Sequence, residues 1–286
     1  MKKKYNIILL IILIITFLIL LLKMKNIEKF SDNNITIVSS YYPMKSKHSV
    51  EKYKKWIKNL FENVPFNLVF FTNKEYTPFI KDIRKNFSNT KIITLEFEEL
   101  EVFKKYPLSF WKEQKKLDHE EYHIPELYAI WYEKKEFIKK TIEVNPFNSE
   151  YFVWTDAGIC RDTNWIPYLK NYPCLNKIPI NKILINKIKN FSDKNEYYDF
   201  KNDLENIGAG IIGGNIKAWQ DYDILYNKIF NIYINDNRFV GKEQNLITTM
   251  CIKKPELFEL YNSKDFKTNK YEYNKWFSLL FYLAEC

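Results

Sequence analysis

The stretch YFVWTDAGICRD, from Tyr151 to Asp162, sets large, mostly β-favouring residues before one aspartate, with a glycine two places later. A short apolar run of this kind reads as a buried strand. In open α/β sheets, ligands gather outside the carboxyl ends of the strands. Asp156 is therefore expected at a strand tip, with Gly158 letting a ligand come close to the backbone. The alternative is an ordinary turn or helix-capping aspartate.

Upstream, NITIVSS (Asn34 to Ser40), FNLVFFT (Phe66 to Thr72) and KIITLEF (Lys91 to Phe97) read as three strands. Between them, HSVEKYKKWIKNLFENV carries Val50, Tyr53, Trp56, Ile57, Leu60 and Phe61 at helical spacing, and YTPFIKDIRKNF suits a helix opened by Pro78. Strands alternating with helices imply parallel pairing and an α/β domain of Rossmann-like character. The longest helical signal, IPELYAIWYEKKEFIKKTIEVNPF, starts at Pro125 and ends at Asn145-Pro146. Lys134 falls near the middle of its apolar stripe of Leu127, Trp131, Ile138 and Ile142. Two readings stay open for it: a snorkelling stem, or a lysine held on the core face to reach an anionic ligand. Downstream, GAGIIGGN (Gly208 to Asn215) holds four of the six glycines. A helix over IKAWQDYDILYNKIFNIYIN and the segment GKEQNLITTM follow. Lys177 to Asn190 alternates like a strand.

The chain has 286 residues, 46% hydrophobic and 17% aromatic, enough for one sizeable core and unlike a disordered chain. Its net charge of +9 is spread along the sequence without a dense basic tract, so no nucleic-acid partner is expected. A basic surface does suit an anionic small substrate. Cys160, Cys174, Cys251 and Cys286 form no CxxC pair, so there is no zinc signature. Their spacing neither requires nor forbids a disulfide.

MKKKYN precedes the apolar run IILLIILIITFLILLL, Ile7 to Leu22, and KMK follows it. No small-residue cleavage site closes the run, which reads as an uncleaved signal-anchor meeting a bilayer through residues 5–22. Lysines on the N-terminal side tilt the expected topology to a single-pass type II membrane protein. It would face the ER or Golgi lumen if eukaryotic or viral, and belong to the inner membrane if bacterial. The expected organisation is an anchor over residues 1–25, a stem over 26–34 and a domain over 35–286.

TIVSSYYPMKSKHSVEKYKKWI, ELYAIWYEKKEFI, NPFNSEYFVWTDAGICRD, GAGIIGG and GKEQNLI together resemble the HtrL/YibB family, in that order and over roughly Thr36 to Pro255. That family is similar in architecture to GT-A-fold glycosyltransferases, which use nucleotide-sugar donors. The resemblance implies a GT-A-like single domain, with a Rossmann-like central mixed sheet flanked by helices, preceded by a transmembrane helix. It implies transfer of a sugar from a nucleotide-sugar donor to a glycan, lipid or protein acceptor.

By the same resemblance, Asp156 lies where GT-A enzymes carry an aspartate-x-aspartate motif for Mn²⁺ or Mg²⁺. This chain departs from the motif, with Thr155 and Ala157 beside the lone carboxylate. Ser39, Ser40 and Tyr41 match the first-strand position that cradles the nucleotide. Lys47, His48, Lys134, Arg161 and Lys242 become candidates for neutralising the diphosphate. Gly213 and Gly214 would give the donor sugar close approach, and Gln244 would position it. Glu243 would be the general base on the acceptor hydroxyl. The competing function is a non-catalytic nucleotide- or carbohydrate-binding module with a decayed site, and the lone aspartate favours it.

Overall fold

A computed structural model describes residues 34–191, 206–262 and 274–286. The strands are β1 (Ile35–Tyr41), β2 (Asn67–Thr72), β3 (Thr90–Thr94), β4 (Tyr151–Thr155), β5 (Ile183–Lys187), β6 (Ile207–Asn215) and β7 (Phe258–Asn262). The helices are α1 (Val50–Phe61), α2 (Thr77–Ile83), α3 (Glu101–Lys105), α4 (Leu108–Lys115), α5 (Pro125–Val144), α6 (Ile216–Asn235), α7 (Glu243–Lys253) and α8 (Ser278–Tyr282).

The seven strands form one sheet in the order β3-β2-β1-β4-β6-β5-β7. β1 to β4 run parallel, β6 runs against both β4 and β5, and β7 runs with β5. Helices cover both faces, so the central strands are buried on both sides and read as continuous apolar runs. Every residue of β1 and β2 is buried. Side chains alternate between two cores. Val69, Phe71, Phe152 and Trp154 pack on the α5–α6–α7 side. Ile37, Leu68, Phe70 and Val153 pack on the side of α1, α2 and α8.

Local chemistry sets the helix ends. The Ser49 side chain accepts the Lys52 N–H to cap α1, and Asn215 accepts the Ala218 N–H to cap α6. α5 opens with Pro125 and stops at Asn145, whose φ of 33° is left-handed, a conformation asparagine tolerates. α2 stops at Ile83, earlier than its apolar pattern suggests. The next residue, Arg84, is buried and donates to the carbonyls of Phe61, Val64 and Phe66 and to Thr90. That ties the end of α1 to the start of β2.

β1 hands the chain to β2 on one side and pairs with β4 on the other. The strand order reverses between β1 and β4, which opens a crevice at their carboxyl ends. Tyr41 and Asp156 both lie at that end.

Three expectations are refined. The third strand is shorter and gives way to a 3-10 turn at Phe97–Glu99. Of the alternating segment Lys177 to Asn190, only Ile183–Lys187 is strand. Cys174 and Cys286 form a disulfide, while Cys160 and Cys251 are buried free thiols. One expectation is corrected. No helix among the described residues is long and apolar enough to cross a membrane, so the single-pass type II assignment is withdrawn. The run it rested on, within residues 5–22, lies outside the described residues, as does the stem except Asn34.

Candidate active site

Two adjoining lobes occupy the crevice, of about 160 and 450 Å³. Tyr53, Trp131, Lys134, Asp156, Arg161 and Phe277 border both. Ser40, Tyr41, Tyr42 and Trp154 add aromatic and hydroxyl surface to the smaller lobe. Lys47, His48, Tyr122, Lys242, Glu243 and Gln244 line the larger one. Lys47, Lys134, Arg161 and Lys242 set four cations against the carboxylates of Asp156 and Glu243.

Asp156 follows the last residue of β4. Its N–H donates to the Gly210 carbonyl at 2.8 Å, continuing the pairing with β6. Its Oδ1 accepts from Trp154 Nε1 at 2.7 Å and forms an ion pair with Lys134 Nζ at 2.9 Å. A Cβ on Gly210 would stand 3.0 Å from Ile159 Cδ1 and 3.4 Å from Asp156 Oδ2, so a side chain there would crowd the carboxylate.

Lys134 lies on α5 within the run Glu133-Lys134-Lys135-Glu136, all four buried. Successive residues on a helix point in different directions, and all four are paired. Glu133 accepts the Glu101 and Val102 N–H groups at the start of α3, at 3.0 and 2.8 Å. Lys135 donates to Glu136 and Asp223. Lys105 meets Glu136 at 3.3 Å. Lys134 turns to the crevice, donates to Glu243 Oε1 at 2.6 Å and the Ala209 carbonyl at 3.1 Å, and forms an ion pair with Asp156 Oδ1 at 2.9 Å. Burial works against its charge, but Asp156 and Glu243 outweigh it and hold its pKa above the usual lysine value.

Glu243 is the first residue of α7 and is buried. Burial pushes its carboxyl up to about 7; Lys134 opposes this and Asp156 adds to it. Lys242 is buried and bonds Glu120 Oε1 at 2.9 Å. Gln244 donates to the Ile207 carbonyl at 3.0 Å. Arg161 lies between the rings of Trp56 and Phe277, at 4.8 and 5.0 Å. Among the described residues its guanidinium makes no hydrogen bond or close ion pair; burial lowers its pKa, and Tyr53 and the Asp156 carboxylate act on it through space in the opposite direction. Lys47 stands 5.3 Å over the Tyr122 ring. His48 packs on Trp56, with its pKa lowered by burial and then by Arg161, Lys52 and Lys47.

Three sequence candidates fall outside the crevice. Ser39 is buried in the sheet on the opposite side from Ser40, and does not border either lobe. Gly213 and Gly214 pair with Val153 and Phe152, toward the far end of β4. A Cβ on Gly214 would meet Ile183 Cδ1 at 2.8 Å and the Lys182 carbonyl at 3.2 Å, so tight packing accounts for that glycine. β6 is antiparallel to β4, which brings the opposite end of the glycine segment, Ala209 and Gly210, to Asp156. Trp131 and Phe277 line the crevice without having been singled out for it. Trp131 read as core stripe, and Phe277 comes from the C-terminal aromatic segment, whose position no local pattern discloses.

The expected divalent ion at Asp156 does not fit the residues present. Thr155 turns its hydroxyl to Tyr172 at 2.6 Å, and Ala157 has no donor atom. Among the described residues, no three His, Cys, Asp or Glu side chains converge to hold a metal. Asp156 Oδ1 is already engaged by Trp154 Nε1 and Lys134 Nζ.

Fold and crevice together define a three-layer α/β protein with a cation-rich cleft at a strand-order reversal. The chain belongs to the HtrL/YibB family, described as bacterial protein of unknown function, which it matches over residues 33–279. No curated protein matches it in sequence. Among solved structures it is similar to mouse xyloside xylosyltransferase 1 in its apo form, at 12% identity and a TM-score of 0.47, covering 79% of this chain and 84% of the other. A glycosyltransferase involved in glycosylation of the major capsid of PBCV-1 overlays at 17% identity and a TM-score of 0.40, covering 80% and 81%. The PaToxG glycosyltransferase overlays at 10% identity and a TM-score of 0.36, covering 77% and 69%.

Proposed function

We propose that this protein is a glycosyltransferase acting on a nucleotide-sugar donor, with a glycan, lipid or protein acceptor. The observation that carries the reading is Arg161. A guanidinium braced by two aromatic rings, facing a cleft and with no hydrogen bond or close ion pair among the described residues, suits a phosphate oxygen pair. Lys47 lies on the same lobe and adds charge. Ser40 Oγ and the Tyr42 hydroxyl are buried with no hydrogen-bond partner and border the smaller lobe, which fits a polar ligand group such as a base or ribose.

In this reading the diphosphate leaves as charge builds on its terminal phosphate, and Arg161 stabilises that charge in a partly dry cleft. Glu243, with its raised pKa, takes the proton of the acceptor hydroxyl as that oxygen attacks the sugar carbon. Lys134 keeps the Glu243 carboxylate oriented.

The test is calorimetric titration of the purified protein with UDP, GDP, CMP and their sugar conjugates. One nucleotide is expected to bind, with affinity falling about tenfold to a hundredfold in Arg161→Ala, the worth of one or two charge-assisted hydrogen bonds. Absence of binding by every nucleotide, or equal binding by the variant, removes this reading. The non-catalytic module is favoured by one observation, the Glu243 carboxylate already engaged by Lys134. It predicts binding without transfer or donor hydrolysis.

A further inference from the structure

Lys134 sits in an oxygen cage. Two carboxylate oxygens and one backbone carbonyl surround its ammonium, contributed by Asp156, Glu243 and Ala209 from three elements distant in sequence. Such a set suits a hard cation, because carboxylate and carbonyl oxygens are what Mg²⁺, Mn²⁺ and Ca²⁺ select. Here the cage is filled from within the chain. The ammonium donates to Glu243 Oε1 at 2.6 Å and to the Ala209 carbonyl at 3.1 Å, and it pairs with Asp156 Oδ1 at 2.9 Å. The stem that delivers it is buried in α5 beside Trp154, whose ring lies 5.5 Å from Nζ. A dication entering between Asp156 and Glu243 would have to expel a buried charge against this packing, at close range to a like charge.

We propose that Lys134 is a built-in cation occupying the place between Asp156 and Glu243 that a divalent metal would take, so that this cleft binds a nucleoside diphosphate without a metal ion. The diphosphate half of the proposal rests on the glycosyltransferase reading above; the lysine half does not. Because its ammonium is enclosed by these three oxygens, Lys134 acts as a positioning residue. It fixes the two carboxylates, and it leaves direct contact with phosphate to Arg161.

Two measurements test it. In the first, Mn²⁺ is added to the full chain without nucleotide, and free ion is read from its electron paramagnetic resonance signal. The wild type is expected to show no saturable binding. Lys134→Ala leaves Asp156 and Glu243 facing each other and is expected to gain a single saturable Mn²⁺ site, lost again in Lys134→Ala combined with Asp156→Asn. A structural role alone predicts no such gain. Saturable Mn²⁺ binding by the wild type, or none by the folded variant, overturns the lysine half. If the alanine variant does not fold, the wild-type titration decides alone.

In the second measurement, the nucleoside diphosphate is titrated into the wild type with EDTA and then with Mn²⁺. Equal affinity is expected. A gain of about tenfold or more on adding Mn²⁺, equivalent to about 1.4 kcal/mol, overturns metal-free binding. If no nucleotide binds under either condition, the glycosyltransferase reading falls, and the Mn²⁺ titration still decides what Lys134 does.

Discussion

Glu243 carries the sharpest consequence of a single residue. A carboxyl held at about 7 is protonated at acid pH, and becomes a base only as the pH climbs past that value. The rate of sugar transfer, followed as kcat/KM, is therefore expected to rise with pH through about 7 on a one-proton limb. Glu243→Gln should abolish the limb and lower the rate by about 10²–10⁴-fold, the usual worth of a positioned base. A flat profile in the wild type would take the base role from Glu243. Linkage fixes the sign for stability. The unfolded chain loses this proton near the ordinary glutamate value of 4.5, the folded one near 7, so this residue's contribution to stability falls as pH rises between the two. Asp156 and Lys134 were legible as candidates, because a strand tip and a lysine on an apolar stripe leave local marks, whereas Glu243 became one only through the family resemblance of GKEQ. Their meeting was not legible. It depends on α5 and α7 approaching one end of one strand, and no local spacing encodes that distance.

At the scale of elements, Arg84 calls for a direct test, because its guanidinium is buried with no carboxylate partner among the described residues. It is held by three carbonyls and one hydroxyl from the end of α1, the start of β2 and the start of β3. Burial lowers its pKa to about 10, which keeps it charged at neutral pH. Arg84→Met would strand the carbonyls of Phe61, Val64 and Phe66 and is expected to cost about 3–5 kcal/mol, read as a lower urea midpoint. Arg84→Lys should fall between the two, since an ammonium cannot reach all four acceptors at once. An unchanged midpoint in Arg84→Met would mean that water satisfies those carbonyls. The long helices were legible because twenty residues of α5 and of α6 carry period and caps together. α3, of five residues, and α4, of eight, lack that length, and their places are set by packing against α5. Glu133 capping the start of α3 is one such tertiary instruction. The glycine segment was legible as a strand, but which of its glycines meets the site followed only from the antiparallel register of β6.

For the whole molecule, alternation of strands and helices gave the α/β class, while the reversed strand β6 and the placement of β7 at the sheet edge came from long-range pairing. The four cysteines left pairing open, since sequence spacing carries no information on which thiols approach. The Cys174–Cys286 bridge joins residues 112 apart. Closing a loop of that length restricts the unfolded chain by about 4–5 kcal/mol in the chain-entropy account. Cys286→Ser is expected to lower the melting temperature by several degrees, and a reducing agent should lower that of the wild type but not of the variant. Equal melting temperatures for oxidised wild type and variant would discount the bridge. The covalent loop contains β5, β6, β7, α6 and α7, and with them Glu243, Gly210 and Phe277. A protease that nicks the backbone once, anywhere inside that circuit, yields two fragments still tethered by sulfur, which migrate as one species until the thiols are reduced.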